Sequence, residues 1–394
     1  MNKMITVDIA KSILKSLAIQ REMITIPIVD AVDCFCAEAV FSPISVPSFD
    51  NSAMDGYALC FDELQSEMEI SAMVKAGSTT KEAIKTGTAV RIFTGAPIPS
   101  GADTVVKQEI VRVNGNRFSI DPSLVNKGDF VRVVGAQCKA DDEILGRGDK
   151  ISFGTIALLA SLGVQDVKVF RKPKVGVILT GDEVVTSELE LQDGQIYDAN
   201  GPMLCAALMK LGIQVEFVEK VKDEAFEVEA SIKKLIEKVD VLILSGGISV
   251  GDFDFVRPAL QNLGIEELFY KVAQKPGKPF YAGVLGSKFI FALPGNPSSS
   301  LSCFQVYVRP FLNRFSGDEY AYDSDFKFPL VQEYKTDSSL TFFLKCELKN
   351  NMVRVLNGQE SFNLVSFNKA TGLVEIPSRD AQDVNDGLYN YYPF

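Results

Sequence analysis

Three polar, glycine-bearing stretches each follow an apolar run that reads as a strand: Thr180-Gly181-Asp182-Glu183 after residues 175–179, Ser245-Gly246-Gly247-Ile248-Ser249-Val250-Gly251-Asp252-Phe253-Asp254 after residues 239–244, and Pro294-Gly295-Asn296-Pro297-Ser298 after residues 289–293. A glycine turn between a strand and a helix lets backbone N–H groups and the helix N-terminus approach an anion such as phosphate. The plainer alternative is that Gly246 and Gly247 only make a tight turn. Neither G-x-G-x-x-G nor G-x-x-x-x-G-K-[ST] occurs in these loops, so neither the dinucleotide fingerprint nor the P-loop gains support.

Between the second and third stretches lie Lys271, Lys275 and Lys278, separated by prolines and a glycine. A lysine run is often only a solvated surface, but here it is stiffened beside expected ligand loops, which favours an oxyanion or phosphate role; each charged hydrogen bond contributes about 1.5–3 kcal/mol. Glu183, Asp223, Asp252 and Asp254 fall at strand ends or helix starts on the same edge. Several carboxylates beside a phosphate suit Mg²⁺, which prefers oxygen ligands. N-capping competes as an explanation, most strongly for Asp223. Upstream, residues 47–57 gather Asp50, Asn51, Ser52 and Asp55 into one turn-rich stretch, and residues 94–99 repeat that loop chemistry from Thr94. By pattern alone these are also compatible with simple Asx turns.

The elements that carry these loops alternate. Residues 174–317 read as strands and helices in turn, with strands at 175–179, 215–218, 239–244 and 288–293 and helices at 202–211, 223–238, 254–263 and 297–315. This predicts a doubly wound parallel sheet with ligands at the carboxyl ends of its strands. Val7, Ala10, Ile13, Leu14 and Leu17 have helical spacing, residues 43–137 read as a small β-dominated domain, residues 152–162 read as a helix stopped by Gly163, and the chain after Gly317 reads as a final β domain. At 394 residues, 46% of them hydrophobic, the chain is expected to fold as several globular domains. Apolar runs fall short of a membrane span and no leader pattern precedes Met4, so a soluble, cytoplasmic protein is expected. Seven scattered cysteines without C-x-x-C spacing read as reduced thiols. A formal charge of −11 disfavours nucleic acid. The sequence contains no histidine, which removes Ser-His-Asp and Cys-His catalysis and imidazole as a base.

Seven of these stretches, in order, resemble the molybdopterin molybdenumtransferase family, the MoeA and gephyrin E-domain proteins. They are residues 49–58 (Phe-Asp-Asn-Ser-Ala-Met-Asp-Gly-Tyr-Ala), 91–99, 180–183, 196–200 (Ile-Tyr-Asp-Ala-Asn), 245–251, 275–279 and 293–297 (Leu-Pro-Gly-Asn-Pro). The resemblance implies an α/β multidomain subunit: a helical linker part (1–44 and 138–172), a β-rich domain (45–137), a doubly wound molybdopterin-binding domain (173–319) and a C-terminal β-barrel (320–394). It implies a homodimer whose cleft combines the doubly wound domain of one subunit with the β domain of the other. The implied reaction takes adenylylated molybdopterin and molybdate as substrates, depends on Mg²⁺ and releases AMP. Carried over by motif, Asp55, Thr94, Glu183, Asp223, Asp254, Lys271 and Lys275 are the catalytic set, with Glu183 and Asp254 toward the metal. Ser245, Gly246, Gly247, Ser249, Lys278, Pro294, Pro297, Arg132, Ser361 and Lys345 are the substrate-binding set. Implied protein partners are the molybdopterin adenylyltransferase and molybdoenzyme chaperones.

Three positions depart from the family pattern. Where the family has Gly-Glu-Asp after Arg132, this chain has Gly135-Ala136-Gln137, and glutamine brings no charge to a metal. Asn357-Gly358-Gln359 stands where the family has Gly-His-Gln, and Lys345 replaces an arginine, losing a planar two-pronged grip on an oxyanion. An altered paralogue that prefers tungstate or serves as a dimeric scaffold, and the related adenylyltransferase, are the competing readings.

Overall fold

The computed structural model of the chain describes residues 4–78, 83–248, 255–323, 326–334, 336–379 and 387–394. Ser249 and Asp254, both singled out above, lie outside the described residues. The chain forms two compact units, one of Thr25–Lys168 and one of Met1–Ile24 with Val169–Phe394. Among the described residues no helix is long and apolar enough to cross a membrane. Among the described residues no cysteine is joined in a disulfide.

Helix α1 (Val7–Ser16) starts at Thr6, whose hydroxyl accepts the Ile9 amide at 3.3 Å, and it buries Val7, Ala10 and Leu14 at helical spacing. In the Thr25–Lys168 unit six strands form one sheet: β1 (Gly56–Leu59), β2 (Glu67–Val74), β3 (Thr88–Ile92), β4 (Thr104–Lys107), β5 (Arg112–Asn114) and β6 (Arg117–Ser119), in the order β4-β1-β3-β2-β6-β5. Side chains alternate across this sheet. Tyr57 and Leu59 join a cluster with Met68 and Phe118, while Ala58 between them joins Val74, Val90 and Val105 on the other face. At Gly56 a β-carbon would stand 2.0 Å from the Val106 carbonyl oxygen, so β1 and β4 pair this closely only because the residue is glycine. Helix α2 (Phe153–Ser161) opens with a reciprocal cap between Ser152 and Thr155 and is followed by Gly163 at φ +77°.

The larger unit holds the doubly wound sheet. Its elements are β7 (Val175–Thr180), α3 (Asn200–Lys210), β8 (Val215–Val221), α4 (Ala225–Ile236), β9 (Val241–Ser245), α5 (Val256–Asn262), β10 (Glu266–Tyr270), the two-residue β11 (Gln274–Lys275), β12 (Tyr281–Leu285), β13 (Lys288–Leu293), α6 (Pro297–Cys303) and α7 (Arg309–Phe315). Strand order is β8-β7-β9-β13-β12-β10. Val177, Leu179, Ile243 and Phe291 pack on one face with α1, α3 and α7, while Ile178, Leu242, Leu244 and Ile290 pack on the other with α4 and α5. Period-two burial on both faces is what covering helices require.

Two details differ from the sequence expectation. The sheet is mixed: β8, β7, β9 and β13 are parallel, but β12 runs antiparallel both to β13 and to the edge strand β10. The lysine-rich stretch is the loop between these two edge strands, and its prolines and charges obscured the hairpin. The helix expected over residues 297–315 contains a π turn (Phe304–Val308) between α6 and α7. Pro310 has no N–H to donate into the preceding turn, which favours a local change of hydrogen-bond register there.

The C-terminal part adds β14 (Lys327–Phe328), β15 (Thr341–Lys349), β16 (Met352–Val355), β17 (Gly372–Ile376) and β18 (Tyr389–Pro393). The strands pair in the order β11-β15-β17-β18-β14, with β16 on β15, and a parallel bridge from Leu330 to Val353 closes the ring. The Val331 amide donates to Val353 O at 2.8 Å and the Val353 amide to Pro329 O at 2.9 Å. Leu344, Cys346, Val353, Val374, Ile376 and Tyr391 form the barrel core. Barrel and α1 meet at a buried ion pair: Lys11 Nζ lies 3.0 Å from Glu375, which is 8% exposed and also accepts from Tyr392 at 2.5 Å and Asn390 at 3.1 Å. Burial alone raises the Glu375 pKa, but Lys11 and the hydrogen bonds outweigh it and hold the carboxyl below its usual value. Lys11→Met leaves that carboxylate buried without its counter-ion and is expected to cost about 3 kcal/mol of stability in denaturant unfolding, with Lys11→Met/Glu375→Gln recovering much of it. Because the folded pKa is depressed, the stabilisation is present above the unfolded value and is lost as pH falls through the folded one, so the wild type should lose more stability on acidification than the double variant.

Candidate functional site

The strand order places a switch point between β7 and β9. The chain leaves β7 through α3 toward β8 on one side, then returns through α4, on the opposite face, to β9 on the other side. Their carboxyl ends therefore diverge and leave a crevice, the usual ligand position of such sheets. A cleft of about 380 Å³ lies there, and Glu183, Asp223, Ser245, Gly246, Gly247 and Pro294 of the expected set line it. A larger hollow of about 680 Å³ opens in the C-terminal barrel, but none of the doubly wound sheet's loops lines it. The expected site residues gather at the smaller one.

Backbone geometry explains the glycines. Gly246 has φ +98°, and a β-carbon there would meet Thr180 O at 2.7 Å; Gly247 has φ +61° and would meet Val256. The turn thus packs directly on the end of β7. Asn200, at the start of α3 and 9% exposed, ties the loops together: its Nδ2 donates to Ser245 Oγ at 2.9 Å and to Gly295 O at 2.7 Å. Asp198 accepts the Gly201 amide at 3.0 Å and also lines the cleft. Asp198 and Asn200 were missed as site residues, although they stand in the quoted Ile-Tyr-Asp-Ala-Asn motif; a polar pair at a helix start after a two-residue strand was the available signal.

Acidic groups crowd the cleft mouth. Burial, aided by the charges of Asp182 and Glu183, raises the Asp223 pKa above its ordinary value against hydrogen bonding from Thr180 and the Asp182 contact. Asp223 does not cap α4; Glu224 holds the N-cap position, and the Asp223 amide donates to Asp182 Oδ1 at 3.2 Å. Among the described residues no group of three or more Asp, Glu or Cys side chains is gathered as a metal cluster.

Lys271, Lys275 and Lys278 lie in the β10–β12 loop, whose Pro279 lines the cleft. Lys271 adopts φ +72° and sets its ammonium 5.1 Å from the Tyr270 ring centre; Lys275 and Lys278 are exposed. Pro297 begins α6 and borders a neighbouring apolar cavity of about 490 Å³ rather than the cleft itself. Ser361 reaches the cleft rim by accepting from Asn296 Nδ2 at 3.3 Å. Lys345 is 2% exposed, and its ammonium donates to the carbonyls of Asn363 at 2.7 Å and Glu360 at 3.2 Å. It therefore braces the 360–363 loop that carries Ser361, and burial lowers its pKa.

In the Thr25–Lys168 unit the 50–56 loop interleaves with the 94–98 loop. Asp55 Oδ1 accepts from both the amide and the hydroxyl of Thr94, each at 2.8 Å. Those bonds, the amide first, hold Asp55 below the ordinary carboxylate value, with help from the charge of Arg91. Arg132 pairs with Asn51 in a short ladder and is exposed, as is Gln137, whose amide donates to Val46 O at 2.8 Å.

Comparison with known proteins agrees with the order of motifs. Residues 5–163 match the family model for the MoeA N-terminal region (domain I and II), and residues 176–314 match that for a probable molybdopterin binding domain. The chain is 39% identical over 319 residues to the molybdopterin molybdenumtransferase of Haemophilus influenzae, covering 80% of this chain and 79% of that protein. It is 32% identical over 355 residues to that of Staphylococcus epidermidis, covering 88% and 83%. The crystal structure of the molybdopterin biosynthesis MoeA protein from Pyrococcus horikoshii superposes with a TM-score of 0.82 at 25% identity, over 99% of this chain and 97% of that one. On these matches the chain belongs to the molybdopterin molybdenumtransferase (MoeA) family.

Proposed function

We propose that this protein is the transferase that completes the molybdenum cofactor, converting adenylylated molybdopterin and molybdate into molybdenum-bearing cofactor and AMP. The observation that carries the reading is the switch-point cleft, where the Ser245-Gly246-Gly247 turn and the acids Glu183 and Asp223 face one space within the segment that matches a molybdopterin binding domain. In this reaction a water oxygen bonds to the AMP phosphorus as the bond from that phosphorus to the bridging oxygen breaks, so the pterin keeps its phosphate and AMP departs; the two dithiolene thiols replace one oxygen of molybdate, which leaves as water with their protons. Ser245 and the glycine turn hold the substrate phosphate; Lys271, Lys275 and Lys278 neutralise phosphate and molybdate oxygens, with Ser361 at the rim.

Magnesium fits the donor set. Asp223 is crowded by Asp182 and Glu183, so the cleft mouth carries surplus negative charge. Mg²⁺ commonly takes one or two carboxylates together with substrate phosphates, so it does not require a larger protein cluster. Glu183 and Asp223 would hold it, with Asp254 as the further candidate, and it would supply charge neutralisation at the phosphate oxygens.

The chain acts as a cytoplasmic homodimer, with Asp55, Thr94 and Arg132 of one subunit completing the cleft of the other. It takes its substrate from the adenylyltransferase and passes product toward molybdoenzyme chaperones. Its working parts are 1–44 with 138–172, 45–137, 173–319 and 320–394. Gln137 contributes no charge, so Asp55, fully ionised near neutral pH, is the acid that the 45–137 part offers.

Purified protein incubated with adenylylated molybdopterin and Mg²⁺ should release AMP faster when molybdate is added, followed by chromatography; absence of stimulation in folded protein would sink the proposal. Asp223→Asn should lower that rate by at least about tenfold, the effect of losing 1.4 kcal/mol of transition-state stabilisation. The same change should raise the melting temperature slightly, by about 1–2 °C, because it relieves like-charge crowding that solvent already screens. A raised carboxyl pKa opposes folding once the group ionises, and the penalty fades as pH falls through that pKa, so the melting-temperature gain should vanish on acidification.

A further inference from the structure

The lysine-bearing loop between β10 and β12 is held from beneath by one buried amide. Gln274 is 1% exposed, and its Nε2 donates to Gly277 O at 3.0 Å and toward Cys303 Sγ at 3.4 Å. Its Oε1 accepts from the hydroxyl of Tyr307, which is fully buried in the π turn. Every polar group of the Gln274 side chain is therefore used, as a buried amide requires. Gly277 sits directly on this network with φ +85°, and a β-carbon there would stand 2.5 Å from Cys303 Sγ.

Around this peg the loop closes on itself and on its neighbours. The Lys271 amide donates to Phe280 O at 3.2 Å and the Val272 amide to Lys278 O at 3.0 Å. Gln274 and Lys275 also pair with Thr341 and Phe342 of β15. Side chains alternate along such a ladder: Gln274 points into the core while its neighbour Lys275 is exposed. The direction of Gln274 thus sets the direction of Lys275, and its bond to Gly277 fixes the turn that presents Lys278.

We propose that Gln274, gripped by Tyr307, is a positioning residue that presents Lys275 and Lys278 to the oxyanion substrate. The inference rests on the functional reading above, in which these lysines bind molybdate and phosphate. It concerns the two buried groups behind them, which touch no substrate. The π turn belongs to the device, because it is the segment that carries the Tyr307 hydroxyl to the amide.

The test separates fixing the loop from stabilising the fold. Gln274→Met alone buries the Tyr307 hydroxyl without a partner and should lower the melting temperature, whereas Gln274→Met/Tyr307→Phe removes both polar partners and should recover most of that loss. In the double variant, hydrogen exchange of the 271–280 amides should accelerate about tenfold, and the dissociation constant for sodium molybdate, titrated calorimetrically, should rise about fivefold. Lys275→Ala is the reference for loss of a binding lysine. Unchanged loop exchange in the double variant overturns the inference. So does weakened molybdate binding in Lys275→Ala with wild-type binding in the double variant, and in that case the functional reading stands. Molybdate binding unaffected by Lys275→Ala and by the double variant alike removes the lysines from the oxyanion site, and both readings fall.

Discussion

The pairing of β7 with β9 is the constraint on which the cleft depends. These two strands run parallel from Val175 beside Val241 to Leu179 beside Ser245, and the helices that follow them pack on opposite faces of the sheet. Two chains leaving neighbouring strands in opposite directions cannot fill the space above their ends, so a crevice follows from topology before any side chain is chosen. Side chains then close its floor. Gly246 and Gly247 permit the β9 turn to rest against Thr180, and Asn200 joins that turn to the loop after β13. Larger residues at Gly246 would push the turn away from β7 and open the floor.

Much of this was legible in the sequence because it is local. Apolar runs of five or six residues ending in glycine-bearing polar loops mark buried parallel strands and their carboxyl ends, and the cleft lies where that pattern put it. The N-terminal helix and the helix at 152–162 were equally readable, since caps and periodicity sit within a few residues of one another. The hairpin that makes β10 and β12 antiparallel was not, because its strands flank a loop of lysines, prolines and glycine that resembles a surface run. The closed C-terminal barrel followed from the family resemblance and not from local pattern, because it depends on a bridge between Leu330 and Val353 across intervening chain. Lys345 illustrates a third kind of failure. A lysine in a strand reads as an exposed cation, yet here the carbonyls of Glu360 and Asn363 and the ring of Phe367, 5.0 Å from the ammonium, receive it inside the barrel wall.

Electrostatic environment assigns different roles to residues of the same type. Asp55 is held ionised by the Thr94 amide and hydroxyl, whereas Asp223 retains its proton more readily because it is partly buried among other acids. A carboxylate of the first kind offers a fixed negative charge or an acceptor at any working pH. One of the second kind holds its charge at a cost set first by burial and then by its acidic neighbours, a cost that a bound cation would relieve. Lysines divide in the same way: Lys345 is committed to carbonyl oxygens, while Lys275 and Lys278 remain exposed to solvent and to ligands.

The absence of histidine fits this division. Breaking the bond to AMP expels a phosphate oxygen that is already a stable anion near neutral pH, so the leaving group needs charge neutralisation more than it needs a proton. Phosphoryl chemistry of this type depends on positioning and on cations aimed at oxygens where charge accumulates. In the proposed reaction, lysines on a stiff loop and backbone amides at a glycine turn would supply that without an imidazole. The demand then moves from basicity to geometry, because a flexible ammonium placed an ångström away loses much of its effect on the transition state. A buried amide such as Gln274, with each of its polar atoms engaged, meets that demand by fixing the backbone from which the lysines project.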